Sequence, residues 1–141
     1  MPSTLVHASC VDLDGKGVLI VGASGSGKSA LTLQLMSFGA TLVADDRVEV
    51  HNDGVHLIAQ APAAIKGLVE ARGVGILHAS ATAKTNIEFV VDLECEEQDR
   101  LPECHWYEID DYKVPCLHRV DAPHFPAAVF QMLKSGRQAP S

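Results

Sequence analysis

The alternation of apolar and polar residues along the first third of the chain predicts a strand, a helix and a second strand. Residues 17–21 (GVLIV) form a continuous apolar run rich in β-branched side chains, which is typical of a strand covered on both faces. Residues 28–38 (KSALTLQLMSF) place apolar side chains at helical spacing, and Gly39 is a natural end for that helix. Residues 40–44 (ATLVA) predict the next strand.

The rest of the chain predicts mainly strands. Residues 47–59 alternate between apolar and polar, and Asn52-Asp53-Gly54 in their middle predicts a hairpin turn. The next predicted elements are a short helix within 61–71, strands within 73–79 and 86–94, and a polar loop at 96–106. A further strand is predicted within 107–120 and ends near Pro115. A C-terminal helix is predicted within 121–136, with Asp121 as its cap, Pro126 in its first turn and Gly136 at its end.

These elements predict an α/β fold in which a strand–loop–helix unit is followed by a mixed sheet with β-hairpins and a C-terminal helix. A length of 141 residues suits one domain, and we expect it to occupy residues 1–134, with residues 135–141 as a frayed tail.

The composition narrows the possible partners and the compartment. The net charge of −7 argues against a nucleic-acid partner, which favours a basic surface. The apolar runs are too short for a membrane span, and the N-terminus lacks the features of a signal peptide. Cys10, Cys95, Cys104 and Cys116 show no CxxC spacing, which favours free thiols in the cytoplasm over disulfides or a zinc site.

A glycine-rich segment between the first strand and the first helix fits the pattern G-x-x-x-x-G-K-[ST], which binds nucleotide phosphates. In this pattern backbone N–H groups and the helix N-terminus hold the phosphates, Lys28 neutralises the terminal ones, and the Ser29 hydroxyl ligates Mg²⁺. The predicted ATP-binding residues are Gly22, Ala23, Ser24, Gly25, Ser26, Gly27, Lys28 and Ser29.

Two adjacent aspartates, Asp45 and Asp46, follow the second strand. The helix carries the chain about 15 Å from the loop, and the strand returns it about as far. Both acids should therefore lie at the sheet edge where the phosphates bind, one facing the terminal phosphate and its acceptor and the other facing the metal. An acid beside the terminal phosphate can accept a proton from an attacking hydroxyl, as a kinase requires. The alternative is a solvated acidic turn paired with Arg47.

Several segments together resemble the catalytic domain of HPr kinase/phosphorylase, the serine kinase of the sugar phosphotransferase system. The most specific are residues 17–50 and the "GLVEARGVGIL" segment at 67–77. "LVHASC" at 5–10 and "YKVPCLHRV" at 112–120 resemble two further segments of that family.

The resemblance implies a nucleotide-binding core like that of phosphoenolpyruvate carboxykinase. It implies an ATP- and Mg²⁺-dependent kinase that phosphorylates a serine of HPr or an HPr-like carrier, a reaction that many members reverse with inorganic phosphate. Many members are hexamers, so the resemblance also implies a homo-oligomer. Many carry an N-terminal domain, whereas this sequence begins at the kinase core, as a short form would.

Carried over by motif, the resemblance makes Asp45 the base towards the substrate serine. It places His7 near this catalytic acid, and it lets Arg72 touch phosphate or the acceptor. A half-buried histidine and a surface arginine are the simpler interpretations of the last two.

The same resemblance assigns the metal to Ser29, with Asp46 holding the ion or its waters and Glu70 completing the shell. For Glu70 the simpler interpretation is a surface glutamate on a helix.

The sequence departs from the family after residue 77, where the loop is shorter, and after residue 116, where Gly-Arg-Asn is missing. Lys113 lies just before that second region and Arg119 lies within it, and both would meet phosphate or line a solvated strand edge. Two other functions stay open: a small-molecule kinase with the same phosphate loop, and an ATP-binding regulatory module without transfer activity.

Overall fold

Eleven strands and two helices make up the part of the chain that the computed structural model describes, residues 3–139. The strands are β1 (Thr4–Val6), β2 (Ala8–Leu13), β3 (Lys16–Val21), β4 (Thr41–Ala44), β5 (Val48–Asn52), β6 (Leu57–Gln60), β7 (Leu68–Ala71), β8 (Gly75–His78), β9 (Lys84–Glu96), β10 (His105–Ile109) and β11 (Tyr112–Arg119). The helices are α1 (Lys28–Phe38) and α2 (Phe125–Ser135).

Nine of these strands form one mixed sheet, whose main path runs β1-β5-β6-β9-β3-β2-β4. β3 is parallel to β9 on one side and antiparallel to β2 on the other. β11 adds to β9 in parallel, and β10 pairs with β11 as an antiparallel hairpin. β7 and β8 form a separate two-stranded sheet. The α/β class and the mixed sheet with hairpins are thus confirmed.

Burial on both faces of β3 explains why its sequence is apolar without interruption. Leu19 and Val21 belong to a core to which strands β5, β6, β10 and β11 also contribute buried side chains. Val18 and Ile20 belong to a second core, which α1 and α2 cover. Because neighbouring strand residues face opposite sides of a sheet, a strand between two cores requires apolar residues at every position.

The two helices lie side by side on the second core. α1 has the predicted bounds and ends at Gly39, whose φ of 125° suits glycine and whose N–H caps the last turn. α2 begins after His124 rather than at Asp121, whose carboxylate binds Arg119 instead, whereas Pro126 in the first turn and the end at Gly136 are confirmed. Among residues 3–139, neither helix has the length and apolar character needed to cross a membrane.

The helix predicted within residues 61–71 is wrong. A single 3-10 turn at Ala63–Ile65 is followed by extended Lys66, by Gly67 at a φ of 76°, and then by β7. Val69 and Ala71 are buried while Glu70 is exposed, which is the alternation of a half-buried strand. Four residues are too few for this pattern to be distinguished from helical spacing in the sequence.

The strand predicted to end near Pro115 is also wrong. Residues 105–119 form the hairpin β10–β11, whose turn contains Asp110 and Asp111 at φ values of 47° and 67°. β11 continues through Pro115 because pairing with β9 begins only at Cys116. The missing N–H of proline therefore falls at an unpaired side of the strand, where it is tolerated.

The four cysteines are free, as predicted, and differ in their surroundings. Cys10 and Cys116 are buried, and burial raises the pKa of Cys116 to about 12 and that of Cys10 well above its usual value.

We expect a thiol reagent at about pH 8 to label exposed Cys95 and half-buried Cys104 in the folded protein, and to label Cys10 and Cys116 only after unfolding. Mass spectrometry of the labelled peptides checks this, and rapid labelling of Cys10 without denaturant would contradict it.

Candidate active site

The loop between β3 and α1 has the backbone shape that its glycines predict. Gly22, Gly25 and Gly27 have φ values of 155°, 83° and 103°, which other residues rarely adopt. A Cβ atom on Gly22 would lie 2.4 Å from the Ser26 hydroxyl. The loop therefore needs glycine at these positions to curl over the N-terminus of α1, where backbone N–H groups favour an anion.

The side chains of this loop are arranged to hold phosphate. Lys28 is buried, and its ammonium donates hydrogen bonds to the carbonyl oxygens of Gly22 and Ala23 at 2.9 and 3.1 Å. The buried Ser26 hydroxyl has no hydrogen-bond partner among residues 3–139. A cation held over the loop and an unsatisfied hydroxyl inside it fit the phosphates of a nucleotide.

Asp45 lies at the end of β4 and contacts residues of three other elements, β2, β7 and α1. Its carboxylate is almost fully buried and accepts hydrogen bonds from the Ser9 hydroxyl of β2 at 2.7 Å and from the Glu70 N–H of β7 at 2.9 Å. The Ser29 hydroxyl at the start of α1 lies 2.9 and 3.1 Å from its two oxygens. Asp45 is therefore the acid that contacts Ser29, the hydroxyl residue that follows the loop lysine.

Asp46 has a different environment from its neighbour. Its side chain is 59% exposed and lies 2.7 Å from Nε2 of His7. Its backbone N–H donates to the Ser9 hydroxyl at 3.1 Å, so Ser9 joins the two aspartates. The φ of Asp46 is 72°, a conformation that costs about 1–3 kcal/mol when not relieved by its surroundings and that often occurs at functional sites.

Strand pairing explains why His7 and Asp46 meet. His7 is the single residue between β1, which pairs with β5, and β2, which pairs with β4. The β4–β5 connection that carries Asp46 therefore runs beside the β1–β2 junction. Two segments far apart in sequence are thus held together by backbone pairing on both sides.

The β7–β8 hairpin carries Glu70 and Arg72, and the structure brings only part of it to the site. The backbone of Glu70 contacts Asp45, while its side chain is exposed. Arg72 lies in the exposed turn, and its guanidinium makes no hydrogen bond or ion pair within residues 3–139. Their predicted roles towards metal and phosphate stay predictions.

The oxygen atoms near the loop fit a magnesium ion. The Ser29 hydroxyl and the Asp45 carboxylate are in contact with each other. The backbone N–H of Glu70 donates a hydrogen bond to the same carboxylate, which places the Glu70 residue beside both groups. Oxygen ligands of this kind, with several positions left to water and phosphate, are what Mg²⁺ prefers.

Ser9 is the site residue that the sequence-based interpretation missed. A hydroxyl within the buried strand segment Ala8–Val11 is the signal that identifies it, because a buried polar group requires partners.

A histidine cluster lies outside this site. His105 and His118 stack at 3.8 Å, and Nε2 of His105 lies 2.8 Å from the carboxylate of Glu97. Among the described residues these three form the single group of at least three histidine, cysteine or acidic side chains whose ligand atoms lie within 4.8 Å of one another, and it contains no cysteine.

The fold and the site define a class of protein: a mixed α/β phosphate-loop domain with two acids at the same sheet edge. A family model described as the HPr Serine kinase C-terminal domain matches residues 1–118. The chain belongs to this family, as the sequence resemblance predicts.

Two curated relatives and one solved structure agree with this membership. The chain is 44% identical over 110 residues to an HPr kinase/phosphorylase of Brevibacillus brevis, a match covering 72% of this chain and 35% of the relative. It is 38% identical over 125 residues to HPr kinase/phosphorylase 1 of Oceanobacillus iheyensis, covering 83% and 40%. The chain thus spans well under half the length of these relatives.

The solved structure is the Hpr(Ser) kinase/phosphatase from Coxiella burnetii, with a TM-score of 0.79. It is 22% identical, and the match covers 93% of this chain and 88% of that one. At this identity the likeness confirms the fold.

Proposed function

We propose that this chain is an ATP- and Mg²⁺-dependent serine kinase that acts on a small phosphocarrier protein of the HPr type. The observation that carries the proposal is the difference in environment between two adjacent aspartates. Asp45 is buried against the phosphate-loop serine, whereas Asp46 is exposed beside His7. A kinase needs one acid for the metal and another for the acceptor hydroxyl.

Bound magnesium–ATP would supply the transferable phosphoryl group and neutralise its developing charge. The loop from Gly22 to Gly27 would hold the phosphates through its N–H groups, and Lys28 would turn from the loop carbonyls towards the terminal phosphates. Ser29 and Asp45 would hold the metal, with Glu70 as a further ligand.

The resemblance implies that Asp45 is the base and that Asp46 serves the metal. The contacts support the reverse assignment. Asp46 has the exposure needed to reach an acceptor hydroxyl and take its proton, and His7 positions the Asp46 carboxylate through the 2.7 Å contact. Asp45 lacks that exposure and already accepts hydrogen bonds from three groups. We therefore propose Asp46 as the base and Asp45 as the metal-side acid, with Arg72 as a candidate contact to phosphate or acceptor.

The proposed substrate rests on the relatives, which are named HPr kinase/phosphorylase. An HPr-like carrier presents a serine hydroxyl on a folded protein surface, and an exposed base at the rim of the domain is suited to it. Oligomer formation and a cytoplasmic location are parts of the same proposal.

Incubation with labelled ATP, Mg²⁺ and a panel of purified HPr-like carriers tests this function. We expect label on a carrier serine with the wild-type protein and none with Lys28→Ala, which removes the cation of the phosphate loop. ATP binding without labelling of any carrier would instead favour a regulatory module, and labelling of a small molecule alone would favour a small-molecule kinase.

A further inference from the structure

Three side chains that can bind a metal ion meet where the end of β9, the start of β10 and the end of β11 come together. One ligand atom each of Glu97, His105 and His118 lies within 4.8 Å of the other two. Nε2 of His105 lies 2.8 Å from Oε1 of Glu97. Ligand atoms around a tetrahedral zinc ion, with bonds of about 2.0–2.2 Å, lie about 3.4 Å apart, so only a small contraction of this cluster is needed.

Backbone pairing holds the three residues together. His105 pairs with Cys116 of β11, so His118, two residues further along, is its diagonal neighbour on the same face of the hairpin. The Glu97 N–H donates to the Arg119 carbonyl oxygen at 2.8 Å, which fixes the end of β9 against the end of β11. Each member of the cluster therefore lies in a strand or directly after one.

The Glu97 carboxylate is already oriented towards the histidines. Its side chain is only 9% exposed, and Oε2 accepts hydrogen bonds from the backbone N–H groups of Gln98 at 3.0 Å and Asp99 at 3.1 Å. Outer hydrogen bonds of this kind orient the ligating carboxylates of metal sites. The other oxygen, Oε1, is thus held in a position from which it can bind a cation.

The two histidines offer nitrogen atoms that an ion can reach. The His105 side chain is 31% exposed, and His118 is half-buried. The His118 ring makes no hydrogen bond within residues 3–139, so its nitrogens are not committed to another group. The two rings are parallel, with centroids 3.8 Å apart, so each must rotate until one nitrogen points to the ion. The broad χ2 torsion of histidine permits this rotation.

The ligand types and the surrounding charge indicate which ion fits. Two imidazole nitrogens and a carboxylate oxygen suit Zn²⁺ and related transition metals, whereas Mg²⁺ prefers oxygen ligands. Glu94, Glu96 and Asp99 are exposed around the cluster, and their charge favours a cation. The neighbouring cation, Arg119, is already paired with Glu96 at 3.7 Å.

We propose that Glu97, His105 and His118 form a transition-metal site that takes Zn²⁺, with water as a further ligand. The bound ion joins the end of β9 to the β10–β11 hairpin and closes the connecting segment 98–104. This site is separate from the magnesium ion proposed at the phosphate loop, and it does not depend on the proposed kinase activity.

Calorimetric titration of the full chain with Zn²⁺ tests the site, with excess Mg²⁺ present to compete for the oxygen ligands of the phosphate loop. All proteins carry Cys95→Ser and Cys104→Ser, which remove the accessible thiols as competing ligands. We expect saturable binding of one Zn²⁺ per chain. Glu97→Gln, His105→Gln and His118→Gln should each weaken it at least about tenfold, since even outer partners of a metal site contribute about 10–100-fold.

Two control variants and two further measurements accompany the titration. His7→Gln removes the histidine of the other histidine–carboxylate contact, and His56→Gln removes an exposed histidine between β5 and β6. Both should keep the Zn²⁺ affinity. The visible absorption of bound Co²⁺ should appear in the controls and be lost in the three ligand variants. Urea denaturation without metal checks that every variant is folded, and added Zn²⁺ should stabilise only the proteins that bind it.

The outcomes separate the metal site from the kinase proposal. Absence of saturable Zn²⁺ binding before any ligand is replaced would overturn the site. Binding that survives in all three ligand variants, or that His7→Gln abolishes, would overturn it as well. A protein that binds Zn²⁺ as expected but phosphorylates no carrier keeps the metal site and loses the kinase proposal, and the opposite result does the reverse.

Discussion

Replacing Asp46 by asparagine is expected to slow phosphoryl transfer to the carrier serine by about 10²–10⁴-fold while leaving the affinity for magnesium–ATP nearly unchanged. Asparagine keeps the shape of the side chain and tolerates the left-handed backbone, but its amide cannot accept the proton of the attacking hydroxyl. Single-turnover transfer of labelled phosphate measures the rate, and calorimetry measures the affinity.

Asp111→Asn is a matched control for this experiment. Asp111 is also exposed and has a φ of 67°, close to the 72° of Asp46, but it lies in the β10–β11 turn. We expect this variant to transfer phosphate at the wild-type rate. If Asp46→Asn loses nucleotide binding together with transfer, Asp46 serves the metal, as the family resemblance alone implies.

Replacing Asp45 by alanine is expected to lower the free energy of unfolding by about 2–5 kcal/mol in the absence of nucleotide, because an unsatisfied buried donor costs about 1–3 kcal/mol. The substitution leaves the Ser9 and Ser29 hydroxyls and the Glu70 N–H without their common acceptor. It should also abolish the dependence of ATP binding on Mg²⁺. Urea denaturation and calorimetry with and without the ion measure the two effects.

Asp46→Asn provides the comparison for stability, since an exposed substitution usually changes the free energy of unfolding by less than about 0.5 kcal/mol. Asp45→Ala should thus lose mainly stability and metal binding, whereas Asp46→Asn should lose mainly phosphoryl transfer. Equal destabilisation by the two variants would contradict the assignment of Asp45 as the buried anchor of the site.

The parts of this molecule that the sequence predicts best are those where local pattern and backbone chemistry agree. α1 has its predicted bounds because helical spacing, the preceding glycines and Gly39 all indicate the same element. The sequence of residues 61–71 wrongly indicates a helix because a strand of four residues with two buried side chains shows no distinctive period. The sequence does not predict the β10–β11 hairpin because its turn uses two aspartates rather than glycine. In addition, Pro115 suggests the end of a strand, which the surrounding pairing does not require.

The sequence predicts which residues belong to the candidate site, but it does not predict the contacts among them. Motif spacing identifies Lys28, Ser29 and the aspartate pair. It cannot tell which aspartate is buried, since this depends on Ser9 and on the β1–β2 junction, which reach the site through non-local strand pairing.

The placement of α2 bears on where this polypeptide can be shortened. The family model matches residues 1–118, yet Val129 and Leu133 of α2 are fully or almost fully buried in the second core. A recombinant fragment that ends at residue 118 would lack α2 and would expose Val18, Ile20 and Val91 as an apolar surface to water. The C-terminal helix is therefore needed to keep these side chains away from water, although it lies outside the residues that the family model matches.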